Sequence, residues 1–277
     1  MWPTLLRFGS FEITTFGLMM FLAFVTGGWI LTLQFRRYGL TDDLASTIVM
    51  AAAIGGIVGA KIYYAILFHD IRLLFDRAGL VWYGGLVGGF LACSAIILIK
   101  KIEYLRVADA TAPSLSIGYA LGRIGCFLVG DDYGRPTTSW VGIAFPKGSP
   151  PTTAESLRSF GVAVDPALPA DALLRVHPTQ LYEVAASLFI FFILLRHSRS
   201  EHRAGRTFGL FLILAGIERF LVEIVRAKDD RLLGPFTIAQ FISVILVAIG
   251  IALFARRNKR IFQPDPGHSE VHAGINA

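Results

Sequence analysis

Six charged residues, Lys61, Arg123, Glu183, Glu218, Arg219 and Glu223, fall inside or at the edges of long apolar runs of this chain. A charge at the centre of a bilayer costs about 2.5–3.5 kcal/mol even on the translocon scale, so each of them needs a partner or a ligand. Arg219 and Glu223 stand four apart on one helical face with Glu218 beside them, and these three can neutralise one another. Arg123 has no acid within four residues on its own helix. Its guanidinium calls for a phosphate or for a carboxylate from a distant segment.

Arg123 opens the stretch Gly122-Arg123-Ile124-Gly125-Cys126-Phe127-Leu128-Val129-Gly130-Asp131-Asp132-Tyr133-Gly134-Arg135. Its glycines permit positive φ and close backbone approach, so a broken helix end here could offer N–H groups and a guanidinium to an anion. Glycines in membrane helices also serve packing, the alternative for Gly122 and Gly125. A second cluster runs Arg175-Val176-His177-Pro178-Thr179-Gln180-Leu181-Tyr182-Glu183. Pro178 suits a first helical turn and Thr179 or His177 could cap it, with Gln180, Tyr182 and Glu183 directed inward or to the interface. Taken singly, His177 and Tyr182 could equally be residues of an aromatic belt. Tyr83 precedes Gly84 and Gly85 at the start of another apolar run, and its hydroxyl needs a partner, for which a phosphate is a candidate. Gly55, Gly56, Gly59, Gly88 and Gly89 read as close helix packing.

The elements that must position these groups follow from composition. The chain has 277 residues, 54% hydrophobic and 17% charged, with mean hydropathy +0.60. Soluble domains carry about 25% charge, which excludes an ordinary soluble or disordered protein. The net charge of +6 does not point to nucleic acid, because the basic residues sit at the ends of apolar blocks, where anionic lipid accounts for them. Seven blocks approach the roughly 20 residues that a helix needs to span a bilayer: 16–35, 44–67, 80–99, 113–127, 181–195, 208–225 and 237–255. The fourth and fifth are short and polar, so they line a site rather than face lipid. Their continuity excludes barrel strands. The expected fold is an all-α integral membrane protein of about seven transmembrane helices, with short broken helices around a central cavity and an outer-side loop region.

Thirteen lysines and arginines, from Arg36 to Arg260, collect on one side of these blocks and ten on the other. By the positive-inside rule the N-terminus lies outside and the C-terminus in the cytoplasm. The segment 130–176, with Pro136, Pro146, Pro150, Pro151, Pro166 and Pro169, is then an outer loop, functional or disordered at such a length. One polytopic domain covers 1–262, followed by a disordered cytoplasmic tail over 263–277. The first block is read as a retained span rather than a signal peptide. Cys93 and Cys126 imply no disulfide.

Together the run from Gly122 to Gly134, the block from His177 to Glu183, and Arg219-Phe220-Leu221-Val222-Glu223 with Arg226 resemble the prolipoprotein diacylglyceryl transferases of the bacterial inner membrane. The resemblance extends over 13–229. It implies transfer of diacylglyceryl from phosphatidylglycerol to the lipobox cysteine thiol of a preprolipoprotein signal peptide, releasing glycerol-1-phosphate. It also implies a multi-pass monomer among membrane lipids, with no cofactor and no metal. Arg123 and Arg219 match the family's two essential arginines, which hold the headgroup, and loss of either is expected to abolish transfer without unfolding. Tyr83, Gly125, Gly134, Gln180, Tyr182, Glu183, Glu223 and Arg226 fall at substrate-binding positions. Arg226 could otherwise belong, with Lys228, Asp229, Asp230 and Arg231, to a solvated turn.

The chain departs from the family pattern at five positions. Tyr83 replaces a histidine, Cys126 and Val129 replace asparagines, Phe16 a tyrosine and Lys61 an arginine. A tyrosine with a pKa near 10 is a poor base at neutral pH. The thiol's proton acceptor stays open between Tyr83, His177 and deprotonation assisted by the arginines. So do two other readings: a divergent paralogue with another acceptor, and a non-enzymatic phospholipid binder or transporter.

Overall fold

The computed structural model describes residues 4–8, 11–75, 79, 81–227, 231–233, 236–256 and 261–262. The expected tail over 263–277, together with Lys228, Asp229 and Asp230, lies outside the described residues.

A short antiparallel hairpin, β1 (Thr4–Phe8) and β2 (Phe11–Thr14), leads into α1 (Thr15–Arg37), whose first turn is capped by Thr14 accepting from Gly17 N at 3.0 Å. There follow α2 (Asp42–Leu67), a 3-10 turn (Ile71–Phe75), α3 (Trp82–Ile99) and α4 (Tyr104–Val129). Beyond the long connection containing α5 (Ala154–Ser159) come α6 (Thr179–His197), β3 (His202–Arg203), α7 (Arg206–Val225), β4 (Arg231–Leu233), β5 (Phe236–Thr237), α8 (Ile238–Ala255) and β6 (Ile261–Phe262). β3 pairs with β6 and β4 with β5, both antiparallel and both too short to span anything.

Six of these helices, α1, α2, α3, α4, α6 and α8, are long and apolar enough to cross a membrane. The seventh expected block forms the 20-residue α7, whose Arg206, Glu218, Arg219 and Glu223 set it apart from the six. α4 corrects the sequence reading. It is not a short segment starting at Pro113 but a 26-residue helix that runs through Pro113 and the Gly122–Gly125 stretch without a break. Polar Arg106, Asp109, Ser114 and Ser116 hide its first turns from a hydropathy scan, yet Asp109, Ser114 and Ser116 are buried in protein. α4 and α6 are the most buried candidate spans, at 39% against 11–22% for the others, as expected of helices that line a site.

Lipid offers no hydrophobic drive for helix pairing, so contact depends on how closely backbones approach. α2 and α3 meet at Gly59 and Gly84, where a Cβ on Gly59 would stand 2.3 Å from the Gly84 carbonyl oxygen. α7 and α8 cross in the same way at Gly209 and Gly250. Phe21, Trp29, Phe90, Leu221 and Ile245 are exposed on the outer faces of the helices, as lipid-facing residues should be.

The two ends of the bundle differ. At one end Leu31, Phe35, Tyr38, Leu44, Ile48, Ile97 and Val107 form a core, and the fully buried Asp109 takes Gly205 N at 2.6 Å and Phe208 N at 2.7 Å, capping α7. At the other, the segment between α4 and α6 is folded rather than loose. It has its own core of Tyr133, Phe145, Leu157 and Val176 with Ala227, and bridges join Pro136 and Ile143 to Val176 and Thr153 to Leu173.

Candidate active site

Three helix ends converge beneath this folded cap. α4 stops at Gly130, which takes the left-handed conformation at φ 76°, and the chain turns back over the helix end through Asp131 and Asp132 (φ 55°). The strand-like piece that follows is wedged between the approach to α6 and the end of α7. Gly134 N donates to His177 O at 2.8 Å, His177 N to Arg135 O at 3.0 Å, and Arg135 N to Val225 O at 2.7 Å. Only glycine fits at 134, because a Cβ there would lie 2.6 Å from Val225 O, 2.8 Å from His177 Cβ and 2.9 Å from Thr179 Cγ2.

The start of α6 holds the turn from below. Thr179 Oγ1 donates to Asp132 O at 2.7 Å and Gln180 Nε2 donates to Asp131 O. Neither Thr179 nor His177 caps α6, whose N-cap is Pro178 without a side-chain bond. The polar residues of this block orient the acid-bearing turn instead.

Arg123 is surrounded by acceptors from three segments. Its Nη1 donates to Asp132 Oδ2 at 2.9 Å, its Nε to Tyr119 Oη at 3.1 Å, and its Nη2 lies 3.1 Å from Glu183 Oε1. Tyr119 Oη itself donates to that Glu183 oxygen at 2.6 Å. The distant carboxylate that Arg123 required is thus Glu183, joined by Asp132. Asp132 also accepts from Arg226 on its other oxygen. Arg226 Nη1 is 3.9 Å from Glu223 Oε2, and Arg219 Nη1 is 2.5 Å from the same oxygen. The Arg219 contact is close but not aligned as a hydrogen bond, which leaves N–H donors for another acceptor. The result is a ladder of alternating charge, Glu183, Arg123, Asp132, Arg226, Glu223, Arg219, with Glu183 and Glu223 almost fully buried.

Burial disfavours a charged Asp132, yet Arg226 and Arg123 hold its carboxyl below the ordinary value. Asp131 has no such partner, and burial together with the neighbouring Asp132 pushes its carboxyl up to about 6. Cys126 Sγ and the carboxylate oxygens of Asp131 and Asp132 lie within 4.8 Å of one another, the one grouping of metal-ligand type among the described residues. Two arginines already occupy Asp132 and make the place unfavourable for a cation.

Of the residues expected at the site, Arg123, Arg219, Glu183, Glu223, Arg226, Gln180 and Gly134 are brought together. Arg226 is part of the ladder rather than of a solvated turn. His177 and Tyr182 sit beside it, bonded to each other from Nδ1 to Oη at 3.1 Å. Gly125 is interior to α4 and packs on Met19 and Phe16 of α1, so it has neither the positive φ nor the free N–H first considered for it. Tyr83 is half-exposed on α3 with its ring against Trp82, and among the described residues no contact ties it to the ladder. Glu218 accepts from Ser187 Oγ at 2.8 Å instead of pairing with Arg219. Reading along the sequence gave no role to Asp131, Asp132 or Tyr119 and considered Thr179 only as a helix cap. The adjacent acids just after a helix-ending glycine were the available signal.

A family model described as prolipoprotein diacylglyceryl transferase matches residues 3–256. A phosphatidylglycerol–prolipoprotein diacylglyceryl transferase of Geobacter sulfurreducens is 32% identical, over 95% of this chain and 97% of its own length. Proteins of the same description from Clostridium tetani, 29% identical over 91% and 96%, and from Xanthomonas oryzae, 31% identical over 95% and 93%, are similar in the same way. Matched over nearly its whole length, the chain belongs to the prolipoprotein diacylglyceryl transferase family.

Proposed function

We propose that this protein transfers the diacylglyceryl group of phosphatidylglycerol to the lipobox cysteine thiol of a preprolipoprotein. The observation that carries this reading, beside the family, is the ladder that places the guanidiniums of Arg123, Arg226 and Arg219 side by side at the mouth of the bundle. In the reaction sulfur bonds to the glycerol methylene, the bond from that carbon to the phosphate oxygen breaks, and glycerol phosphate leaves. A diester with one negative charge becomes a monoester with more, so fixed guanidiniums stabilise the transition state beyond the bound lipid. Three guanidiniums opposed by the paired Asp132, Glu183 and Glu223 form a balanced site, and the Arg219 guanidinium, its side chain 24% exposed and its Nη1 without a hydrogen bond, is the one left for the phosphate.

Gln180, Tyr182, Glu183, Glu223, Arg226 and Gly134 shape the phosphate seat. Between α7 and α8, one turn from Arg219, a groove of about 210 Å³ lined by Gly216, Ile217, Phe220, Leu221, Ser243, Val244 and Val247 suits an acyl chain. Of the two residues the sequence offers for the thiol, His177 is bonded through its backbone to Gly134 and Arg135, just after Asp132, and Tyr83 stands at the start of α3. We place the protein in the bacterial inner membrane as a monomer of seven spans around a central cavity, N-terminus outside and C-terminus in the cytoplasm, with the ladder at the outer mouth.

The test is transfer by the purified protein in proteoliposomes containing phosphatidylglycerol and a lipobox peptide, read as glycerol phosphate released. Product from wild type, lost in Arg219→Ala, supports the reading. A folded protein that binds the lipid and makes no product sinks it in favour of another acceptor or of lipid binding alone.

A further inference from the structure

We propose that Asp131 is a catalytic residue, the group that takes the proton from the acceptor thiol. This rests on the transferase reading above and names a proton acceptor other than the two candidates from the sequence, Tyr83 and His177.

Three of the carboxylates around the mouth are committed to guanidiniums. Asp132 holds Arg123 and Arg226, Glu183 holds Arg123, and Glu223 lies against Arg219 and Arg226. A carboxylate locked to arginine is a weak base, because its protonation breaks the ion pair. Asp131 makes no ion pair among the described residues; its side-chain neighbour is the Cys126 thiol, a weak donor, and its Oδ1 is buried without an aligned hydrogen-bond partner. A buried carboxylate oxygen served by no more than a thiol is under-satisfied, and a proton is the smallest group that can satisfy it.

The carboxyl is also held in place. The Asp131 N–H donates to Cys126 O at 3.2 Å, and its carbonyl accepts from Gln180, itself fully buried. The native thiol of Cys126, within 4.8 Å, shows that sulfur fits against this carboxylate while Arg123 lies 3.7 Å from the same sulfur. An incoming thiol on the open side would meet a base and a phosphate-binding guanidinium together. Among the described residues, the other titratable or charged groups acting on Asp131 are Cys126 and Arg123 of α4 and Asp132 on its own loop, and from α6 the Gln180 amide reaches its carbonyl. A carboxyl raised to about 6 is better matched to work near neutrality than an ordinary aspartate. His177 Nδ1 is engaged with Tyr182, and Glu218 of α7 accepts from Ser187 of α6.

The step balances. The thiol proton passes to Asp131 as sulfur bonds to the glycerol carbon, the electrons of the broken C–O bond go to the phosphate oxygen, and Asp131 returns the proton to the released monoester.

Full-length wild type, Asp131→Asn and Asp131→Glu are compared in phosphatidylglycerol proteoliposomes with a lipobox peptide from pH 5 to 9. Wild-type kcat/KM is expected to rise through pH ~6 and level off. Asp131→Asn should lose about 100-fold or more at pH 7 with KM for the lipid unchanged. Its residual rate should climb with pH toward the free thiol value of about 8.5. Asp131→Glu should restore part of the rate and shift the acid limb. An Asn variant with wild-type rate and profile, beside an inactive Arg219→Ala, overturns the assignment and leaves the transferase standing. Wild type that forms no thioether removes both. Where the Asn variant does not fold, a Glu variant whose acid limb stays at the wild-type position overturns the assignment.

Discussion

Asp132 holds two arginines from different helices at once, Arg123 of α4 on one carboxylate oxygen at 2.9 Å and Arg226 from the end of α7 on the other. One side chain thereby fixes the spacing of two guanidiniums in the ladder. Because those arginines depress its carboxyl, Asp132 contributes stability that is full above the ordinary aspartate value of about 4 and is lost as pH falls through the lower folded value. Thermal melts of wild type and Asp132→Asn in detergent should differ by a constant amount at neutral pH and converge under acid conditions. The side chain is 41% exposed, so the neutral-pH difference should be about 1–2 kcal/mol, short of that for a fully buried pair. Equal melts at pH 7 would contradict a stabilising clasp.

Arg123 and Glu183 separate charge compensation from chemistry. With the Glu183 side chain only 3% exposed, removing the arginine alone leaves a buried carboxylate and should cost about 3–5 kcal/mol. The structure therefore amends the expectation that Arg123→Ala is folded but inactive: it should be poorly folded as well. Arg123→Met with Glu183→Gln should recover most of the melting temperature and none of the transfer. Recovery of transfer in the double variant would show that Arg123 serves only to neutralise Glu183.

Gly134→Ala should disable the site through geometry alone. The new methyl collides with backbone at Val225 and with His177 and Thr179, so the turn must move away from one neighbour. Overpacking of this kind costs about 1–3 kcal/mol, and displacing the Asp132 turn by a fraction of an ångström should reduce kcat by about 100-fold. Wild-type kcat in this variant would mean the turn is not in the reacting geometry.

Asp109 makes the opposite prediction. Its carboxylate caps α7 at the end of the bundle remote from the ladder. Asp109→Ala should lower stability by about 1–2 kcal/mol as a lost cap, while transfer per folded molecule is unchanged below the melt. Melting curves and activity titrated against folded protein check both halves.

Much of this architecture is a local property of the chain. Hydropathy over some twenty residues and the ends marked by arginines are set by neighbours in sequence, so the helices fell within a few residues of their expected places. α4 was the exception, because the protein buries its polar first turns and no apolar run announces a helix packed against other helices. The Arg219 and Glu223 pair was legible for the same local reason, four residues on one helix.

The site lies on another link of the chain of causes. That Glu183 answers Arg123, that Asp132 joins it to Arg226, and that Asp131 is left without a cation depend on three helix ends meeting around Gly134. Tyr83, named from its motif, is half-exposed at the start of α3 and makes its ring contact with Trp82. Residue types and spacing settle that charges are present and must be compensated. Which charge meets which is decided by packing and by backbone bonds between segments dozens of residues apart, and no local pattern encodes those.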